Sequence, residues 1–377
     1  MQITLTTLSP VHVGSGEQYD TLPLYFAAEN GTSRCHVIDV EKLVAGLGPD
    51  GVKRFSRWMD VIADEFRNAE RDNRLVAKVR ERFTVESFLR DEMRLAKPAY
   101  HAMLTARENI RYSMDVRSRA RGNRNVNRQI ATPKMWPYIP GTSIKGALRT
   151  ALASSMLMAM KESDRDAIFR EAARFIRGRD RRDMDQAEEL VMKALFNCGT
   201  SKNWQNYDLL RFVSVADCFG SKVPSELCQV SSITRKRNRD TGRTEMGIFD
   251  LDIFEVIPEK ARFIFTMSID LDQLRAVASR GTGWDRLDSL FSLAFGVELK
   301  EALAMDPVEA QKTLVGKLLE RASSHGAMVL KEDIAWAVRL FGEGSQARAA
   351  METVKPGPGL FRLGYASGFL ADTVYDV

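Results

Sequence analysis

Apolar and polar residues alternate with period two at the start of the chain, where Gln2-Ile3-Thr4-Leu5-Thr6-Thr7 sets Ile3 and Leu5 on one face of a half-buried strand. The pattern predicts strands near 2–8, 21–27 and 34–39. From Val40 to about Lys97 the period lengthens, and Trp58, Ile62 and Phe66, then Leu75, Val79 and Phe83, recur at helical spacing without a turn-rich break. A short strand precedes Pro140. Ile144, Leu148, Ala151 and Leu152 then mark the inner face of a helix reaching about Met160, and a helical insert follows from about Ser163 to Phe196. Strands near 209–218, 227–234, 247–257 and 261–270 and helices near 283–300, 307–323 and 330–341 complete the prediction. Strands and helices mix without strict alternation, which predicts an α+β fold rather than a doubly wound sheet.

With 377 residues, 44% of them hydrophobic, the chain can bury a large core or hold two domains. No apolar run approaches the length of a membrane span, and the N-terminus has neither the basic region nor the apolar stretch of a signal peptide. A cytoplasmic protein with no membrane partner is expected. Cys35, Cys198, Cys218 and Cys228 form no Cys-x-x-Cys pair and, with His12, His36, His101 and His325, no zinc spacing. Buried reduced thiols are expected, with no metal and no cofactor. Nothing repeats at a fixed period, and no long low-complexity tract occurs.

The net charge of +5 and pI near 9.0 are mild for this length, so the placement of charge matters more than its sum. Arg107, Arg111, Arg117, Arg119, Arg121, Arg124 and Arg128 crowd one segment opposed only by Glu108 and Asp115. Arg177, Arg179, Arg181 and Arg182 lie among acids such as Asp180 and Asp183 and read as a solvated surface. Arg235, Lys236, Arg237, Arg239 and Arg243 fall in a predicted polar loop, suited to RNA or protein contact. In the first cluster Tyr112 and Met114 interleave with the arginines, and Gly122-Asn123-Arg124-Asn125 does not continue a helix. This predicts a mobile arm whose guanidinium groups bridge phosphates while Tyr112, Met114 or Val116 wedge against or stack on bases.

The stretch Ile139-Pro140-Gly141-Thr142-Ser143-Ile144-Lys145-Gly146-Ala147-Leu148-Arg149 reads as a turn feeding a helix, with Thr142 or Ser143 as its cap. Lys145 and Arg149 share a face and repel by roughly a few tenths of a kcal/mol unless something negative lies between them. A backbone phosphate at the helix N-terminus answers that need. Two solvated charges on an amphipathic helix are the alternative, and a Walker loop is not, since Lys precedes Gly and no hydroxyl follows. Near the two ends, Leu8-Ser9-Pro10-Val11-His12-Val13-Gly14-Ser15-Gly16-Glu17 and Leu360-Phe361-Arg362-Leu363-Gly364-Tyr365-Ala366-Ser367-Gly368-Phe369-Leu370 are glycine-rich. At Gly14, Gly16, Gly364 and Gly368 a backbone can approach a phosphate closely and donate its amides, or simply turn. Tyr365 is a stacking partner or a core aromatic. His12, beside a glycine loop, is a candidate general base or a structural histidine, and Asp217 reads as a cap or structural ligand.

A Ser-Pro-Val-His-x-Gly-Ser-Gly start, a Tyr-Ile-Pro-Gly-x-Ser-x-Lys-Gly-Ala-Leu-Arg centre and a Leu-Gly-x-x-Ser-Gly-Phe-Leu end, in that order, resemble the RAMP superfamily of CRISPR proteins. Within it they are most similar to the fifth-subunit family of the Csm (type III-A) effector complex. The resemblance covers about a quarter of the chain closely, and the helical pattern fits its RRM-like, ferredoxin-type core split by insertions. It implies a core in 1–160 with a helical insertion (about 40–97) and a basic thumb-like arm (about 105–130). A helical insertion in 161–200 and an α+β half in 201–377 follow. It implies a non-catalytic subunit that binds the 3′ region of the guide crRNA and its target RNA duplex. Its neighbours would be other Csm subunits, above all the backbone RAMP subunit whose filament it caps, and cellular nucleases recruited for guide maturation. The implied RNA path runs through Gly14, Ser15 and Gly16, Arg111, Arg117, Arg119, Arg121 and Arg124, Ser143, Lys145 and Arg149, Arg235, Lys236 and Arg237, and Gly364, Tyr365 and Gly368. Two alternatives stay open: a RAMP endoribonuclease acting through His12 or Asp20, and an assembly subunit whose basic clusters meet acidic protein surfaces.

Overall fold

The computed structural model describes residues 1–29, 32–117, 126–176, 181–199, 203–220, 222–237, 244–280, 283–352, 354, 359–361 and 363. Along the chain run β1 (Gln2–Thr6), β2 (Gly14–Tyr19), β3 (Leu24–Glu29) and β4 (Thr32–Ile38), then α1 (Val40–Gly46), α2 (Gly48–Ala69), α3 (Asn73–Arg82), α4 (Val85–Ser87) and α5 (Lys97–Thr105). β5 (Ile110–Val116), β6 (Val126–Gln129) and β7 (Tyr138–Ile139) lead to α6 (Gly141–Ala159), α7 (Glu162–Ala173) and α8 (Arg181–Phe196). β8 (Val213–Val215), β9 (Cys218–Gly220), β10 (Glu226–Arg237), β11 (Thr244–Val256) and β12 (Arg262–Ile269) follow, and α9 (Leu271–Arg280), α10 (Leu287–Phe295), α11 (Leu299–Ala304), α12 (Pro307–Phe341) and α13 (Gln346–Glu352) come last. This is the expected α+β class with helical insertions.

Two units share these elements, and they interleave. The first holds Met1–Leu8, Ile139–Phe219 and Arg262–Val377; the second holds Ser9–Tyr138 and Gly220–Ala261. They cut across the consecutive stretches 1–160, 161–200 and 201–377 of the sequence reading, because the first strand of the chain pairs with one of the last. β1 lies antiparallel to β12, Gln2 opposite Thr266 and Thr6 opposite Arg262.

In the first unit the sheet order is β1-β12-β9-β7, with β8 beside β12. β12 alternates cleanly, burying Phe263, Phe265, Met267 and Ile269 while Arg262, Ile264 and Thr266 face out. Leu148, Leu152 and Met156 of α6, Phe291 and Phe295 of α10, and Leu314 and Leu318 of α12 are buried here as well. α12 is one helix of 35 residues where two were predicted. The glycine between the two predicted helices marks a close approach instead of a break, since a Cβ at Gly326 would lie 2.8 Å from the Leu360 carbonyl oxygen. α9 went unpredicted, although Asp270 accepts from the Gln273 amide in an ordinary N-terminal cap. The predicted strand at 209–218 is also broken. Asp208 accepts from the Leu210 amide and starts a 3₁₀ turn, Leu209–Phe212, before the short β8 and β9.

The second unit is a seven-stranded sheet in the order β2-β6-β11-β10-β5-β4-β3. Tyr25, Ala27 and Ile38 join Leu43, Trp58, Ile62, Phe88, Leu89 and Leu104 of the helical region in one cluster. Leu24, Cys35, Val37, Met114, Val126, Leu227 and Ile253 form a second. Strand alternation sends neighbours such as Leu24 and Tyr25 to opposite faces, so the helices cover one side of the β3–β5 region.

Here the two ends of the predicted arm need correction. Ile110, Tyr112, Met114 and Val116 alternate with Arg111, Ser113 and Asp115, and this period-two pattern forms β5, paired antiparallel with β4. Met114 is fully buried and Tyr112 packs beside it, so neither is a wedge for bases. Val126–Gln129 is likewise strand, and Arg119, Arg121 and Arg124 lie outside the described residues. Within the predicted polar loop at 231–243, residues 231–237 are strand, and Arg239 and Arg243 lie outside the described residues. β10 and β11 pair from Glu226↔Val256 to Arg237↔Thr244, and among the described residues they meet β5 and β6 at Glu226, Leu227, Ile253 and Phe254. Among the described residues the remainder is a two-stranded ribbon with Arg235, Lys236 and Arg237 toward the end of β10.

Candidate nucleic-acid interface

In the first unit, α6 begins at Gly141 after Pro140, as the turn chemistry dictates, yet neither Thr142 nor Ser143 caps it. Asp217, just ahead of β9, does: its carboxylate accepts from the Gly141 amide at 2.8 Å. The fit leaves no room for a side chain, since a Cβ at Gly141 would fall 2.2 Å from the Val215 carbonyl oxygen. Ser143 donates its amide to the Pro140 carbonyl and is half-buried. Lys145 donates to the Val213 carbonyl at 2.8 Å. Arg149 donates to Asp208 at 2.6 Å and lies 4.8 Å over the Phe196 ring. Burial holds the Lys145 ammonium below the usual lysine value, with Asp208 opposing that shift and Arg149 adding to it. An acid of the chain itself, Asp208, thus pairs with Arg149, and Asp217 takes the first amide of α6, at the place where the sequence predicts a phosphate.

In the second unit the glycine segment is an edge strand. β2 pairs with β6 through Gly14↔Gln129, Gln18↔Asn127 and Tyr19↔Val126. Three β2 residues, Ser15 to Glu17, thus stand where β6 has one, Arg128. A bulge of this kind blunts an edge and presents backbone outward. Gly14 through Gln18 are exposed. Gly16 has φ +81°, and nothing lies within 4 Å of where its Cβ would be. The Ser15 hydroxyl donates to the Arg128 carbonyl and accepts from the Glu17 amide. Arg128 pairs with Glu17 and lies 4.6 Å over the Tyr19 ring.

Two other sequence-predicted cations, Arg111 and Arg117, also have acids beside them. Arg111 lies 3.7 Å from Asp39, and Arg117 reaches Glu259 at 3.0 Å and Glu226 at 3.6 Å. Arg235, Lys236 and Arg237 sit on the β10–β11 ribbon, opposite Met246, Glu245 and Thr244. Gly364, Tyr365 and Gly368 lie outside the described residues. His12 bonds through Nδ1 to the Glu255 carbonyl at 2.8 Å and meets the Phe254 ring edge-on at 4.9 Å, and burial lowers its pKa. Asp20 is exposed just past β2. All four cysteines are free; burial pushes the Cys218 thiol up to about 12. Among the described residues no group of three His, Cys, Asp or Glu is placed to hold a metal ion, and no helix is long and apolar enough to cross a membrane.

Sequence reasoning missed Glu255, Gln129 and Asp208. Glu255 interrupts the apolar run of β11 and is 2% exposed. Its carboxylate accepts from the Gln129 amide at 3.2 Å and from the Tyr112 hydroxyl at 3.3 Å. Burial raises its pKa above the usual carboxylate value, and those hydrogen bonds and Arg128 oppose the shift. An acid flanked by Ile253, Phe254, Val256 and Ile257 was the available signal.

The sequence profile of the RAMP superfamily matches residues 4–284. A curated relative, the "CRISPR system Cms protein Csm5" of Streptococcus thermophilus, is 29% identical over 154 residues, which are 41% of this chain and 38% of that protein. The match thus spans well under half of the relative's length. The fold is similar to the crystal structure of T. onnurineus Csm5, with a TM-score of 0.62 and 20% identity over 98% of this chain and 91% of that one. It is also similar to a chain in the cryo-EM structure of a Csm–crRNA–target RNA ternary complex of a type III-A CRISPR-Cas system. There the TM-score is 0.61 at 22% identity, covering 99% of this chain and 87% of the other.

Proposed function

The chain belongs to the RAMP superfamily, and on that footing we propose that it is a non-catalytic RNA-binding subunit of a Csm (type III-A) CRISPR complex. It binds the 3′ region of the guide crRNA and its target duplex, caps the filament of backbone RAMP subunits, and supports guide maturation by drawing in cellular nucleases. It works in the cytoplasm. The observation that carries this reading is the exposed, bulged edge strand Gly14–Tyr19, whose glycines let a phosphate backbone come close. The relatives' names supply the context: one is a CRISPR Csm protein, and one similar chain sits in an assembly with crRNA and target RNA. The RNA path assigned here runs along β2 and the β10–β11 ribbon bearing Arg235, Lys236 and Arg237, and draws little on Lys145, Arg149 and Arg117. Engagement of the His12 Nδ1 with a backbone carbonyl supports a structural histidine over a general base.

The test is to copurify the chain with its genomic neighbours, crosslink, and map the bound RNA with and without magnesium. Crosslinks at guide 3′ ends with intact RNA are expected. Replacing Arg235, Lys236 and Arg237 together by Ala should flatten the salt dependence by roughly one log-log unit per lost phosphate contact. Cleavage products that vanish on His12→Ala or Asp20→Ala would replace the cap by a nuclease, and absence of crosslinked RNA would leave an assembly subunit.

A further inference from the structure

β2 is held at both ends by one buried carboxylate. Ahead of the strand, Val13 donates its amide to the Gln129 side-chain oxygen at 2.8 Å, and the Gln129 amide donates to Glu255 at 3.2 Å. His12 bonds to the carbonyl oxygen of the same Glu255. At the far end, the Tyr19 hydroxyl bonds to the Tyr112 hydroxyl, which donates to the other Glu255 carboxylate oxygen at 3.3 Å. Between these anchors only Gly14 and Gln18 are in register with β6, and the intervening residues bulge outward around Gly16 with its φ of +81°. A bulged edge strand has few ladder bonds to fix its shape, so its conformation depends on what grips its ends.

We propose that Glu255 is the positioning residue of the Gly14–Tyr19 strand, holding the bulge in the shape that meets an RNA backbone while touching no RNA itself. The proposal rests on the reading above that β2 contacts RNA. A carboxylate can accept from both sides at once, which is what Gln129 N–H and Tyr112 O–H require. An amide meets the same demand by accepting from Gln129 and donating to the Tyr112 oxygen, provided Tyr112 turns its proton to Tyr19. An alanine leaves the Gln129 N–H unmatched and takes away the group on which Tyr112 rests.

The experiment uses the full chain and compares Glu255→Ala, Glu255→Gln and Tyr112→Phe with the parent. Amide hydrogen exchange of residues 12–19 is read against β1 and β12, and binding of a fluorescein-labelled single-stranded RNA is measured across a salt series. Glu255→Ala should speed exchange in 12–19 but not in β1 and β12, and weaken RNA binding by about tenfold, the scale of a buried donor left unpaired. The salt slope should stay at the parental value, because no phosphate contact is removed. Glu255→Gln should restore both readouts. Tyr112→Phe keeps the packing and should free only the Tyr19 end, which keeps the test decisive if Glu255→Ala does not fold. Parental exchange in 12–19 for both Glu255→Ala and Tyr112→Phe, or for Tyr112→Phe alone where Glu255→Ala does not fold, overturns the positioning role. Fast exchange with parental RNA binding upholds the grip of Glu255 on β2 and overturns the contact between that strand and RNA.

Discussion

The start of α6 and the strand β2 carry the same kind of sequence signal, small residues and polar groups at a turn, yet the fold uses them in opposite ways. At α6 three polar groups find partners inside the first unit: Lys145 the Val213 carbonyl, Arg149 the Asp208 carboxylate, Gly141 N–H the Asp217 carboxylate. At β2 the glycines stand in the open. A cation four residues from another signals that an anion is needed, without saying whether a ligand or a distant residue of the same chain supplies it.

The glycines break this comparison most sharply. Gly141→Ala drives a Cβ to 2.2 Å from a backbone oxygen, and the first unit should lose about 3 kcal/mol or more in a denaturant titration, at the upper end of overpacking costs. Gly16→Ala meets no atom and should cost about 1 kcal/mol through its left-handed backbone alone. Next in size, Arg149→Ala leaves Asp208, itself 8% exposed, without its cation. A loss of about 3 kcal/mol is expected, as for a broken buried pair, and restoring part of it by adding Asp208→Asn would show that the penalty lies in the stranded charge. RNA affinity of the folded fraction should not change. Asp217→Ala removes one helix cap and should cost about 1 kcal/mol.

The smallest effect is one of pH. Burial raises the Glu255 carboxyl above its unfolded value, so the folded state takes up its proton first as pH falls. Its contribution to stability is complete below the ordinary carboxylate range and is lost as pH rises through the raised value. The parent should therefore gain stability relative to Glu255→Gln on acidification from neutral pH, which paired urea titrations would register. A constant difference would mean that Glu255 does not titrate differently on folding.

Much of this was legible in advance. Periodicity placed β1, β12, α6 and the long helical region, and the order of three glycine motifs identified the superfamily. Asp217 read correctly as a cap. The start of the arm was misjudged because seven arginines drew attention from the alternation of Ile110, Tyr112, Met114 and Val116, which is an ordinary strand pattern. Arginine count says little about surface potential when the compensating acids, Asp39, Glu226 and Glu259, lie far away in sequence.

The sequence by itself determined where elements begin and which faces are apolar, because dihedral preferences and periodic burial are local properties of the chain. Only the tertiary structure decided which charges remain available. Val213 lies 68 residues from Lys145, Asp208 59 from Arg149, and Glu255 126 from Gln129. Pairing over such separations follows from topology, for Gln129 and Glu255 from one unit of the chain being interrupted by the other, and no local pattern encodes it.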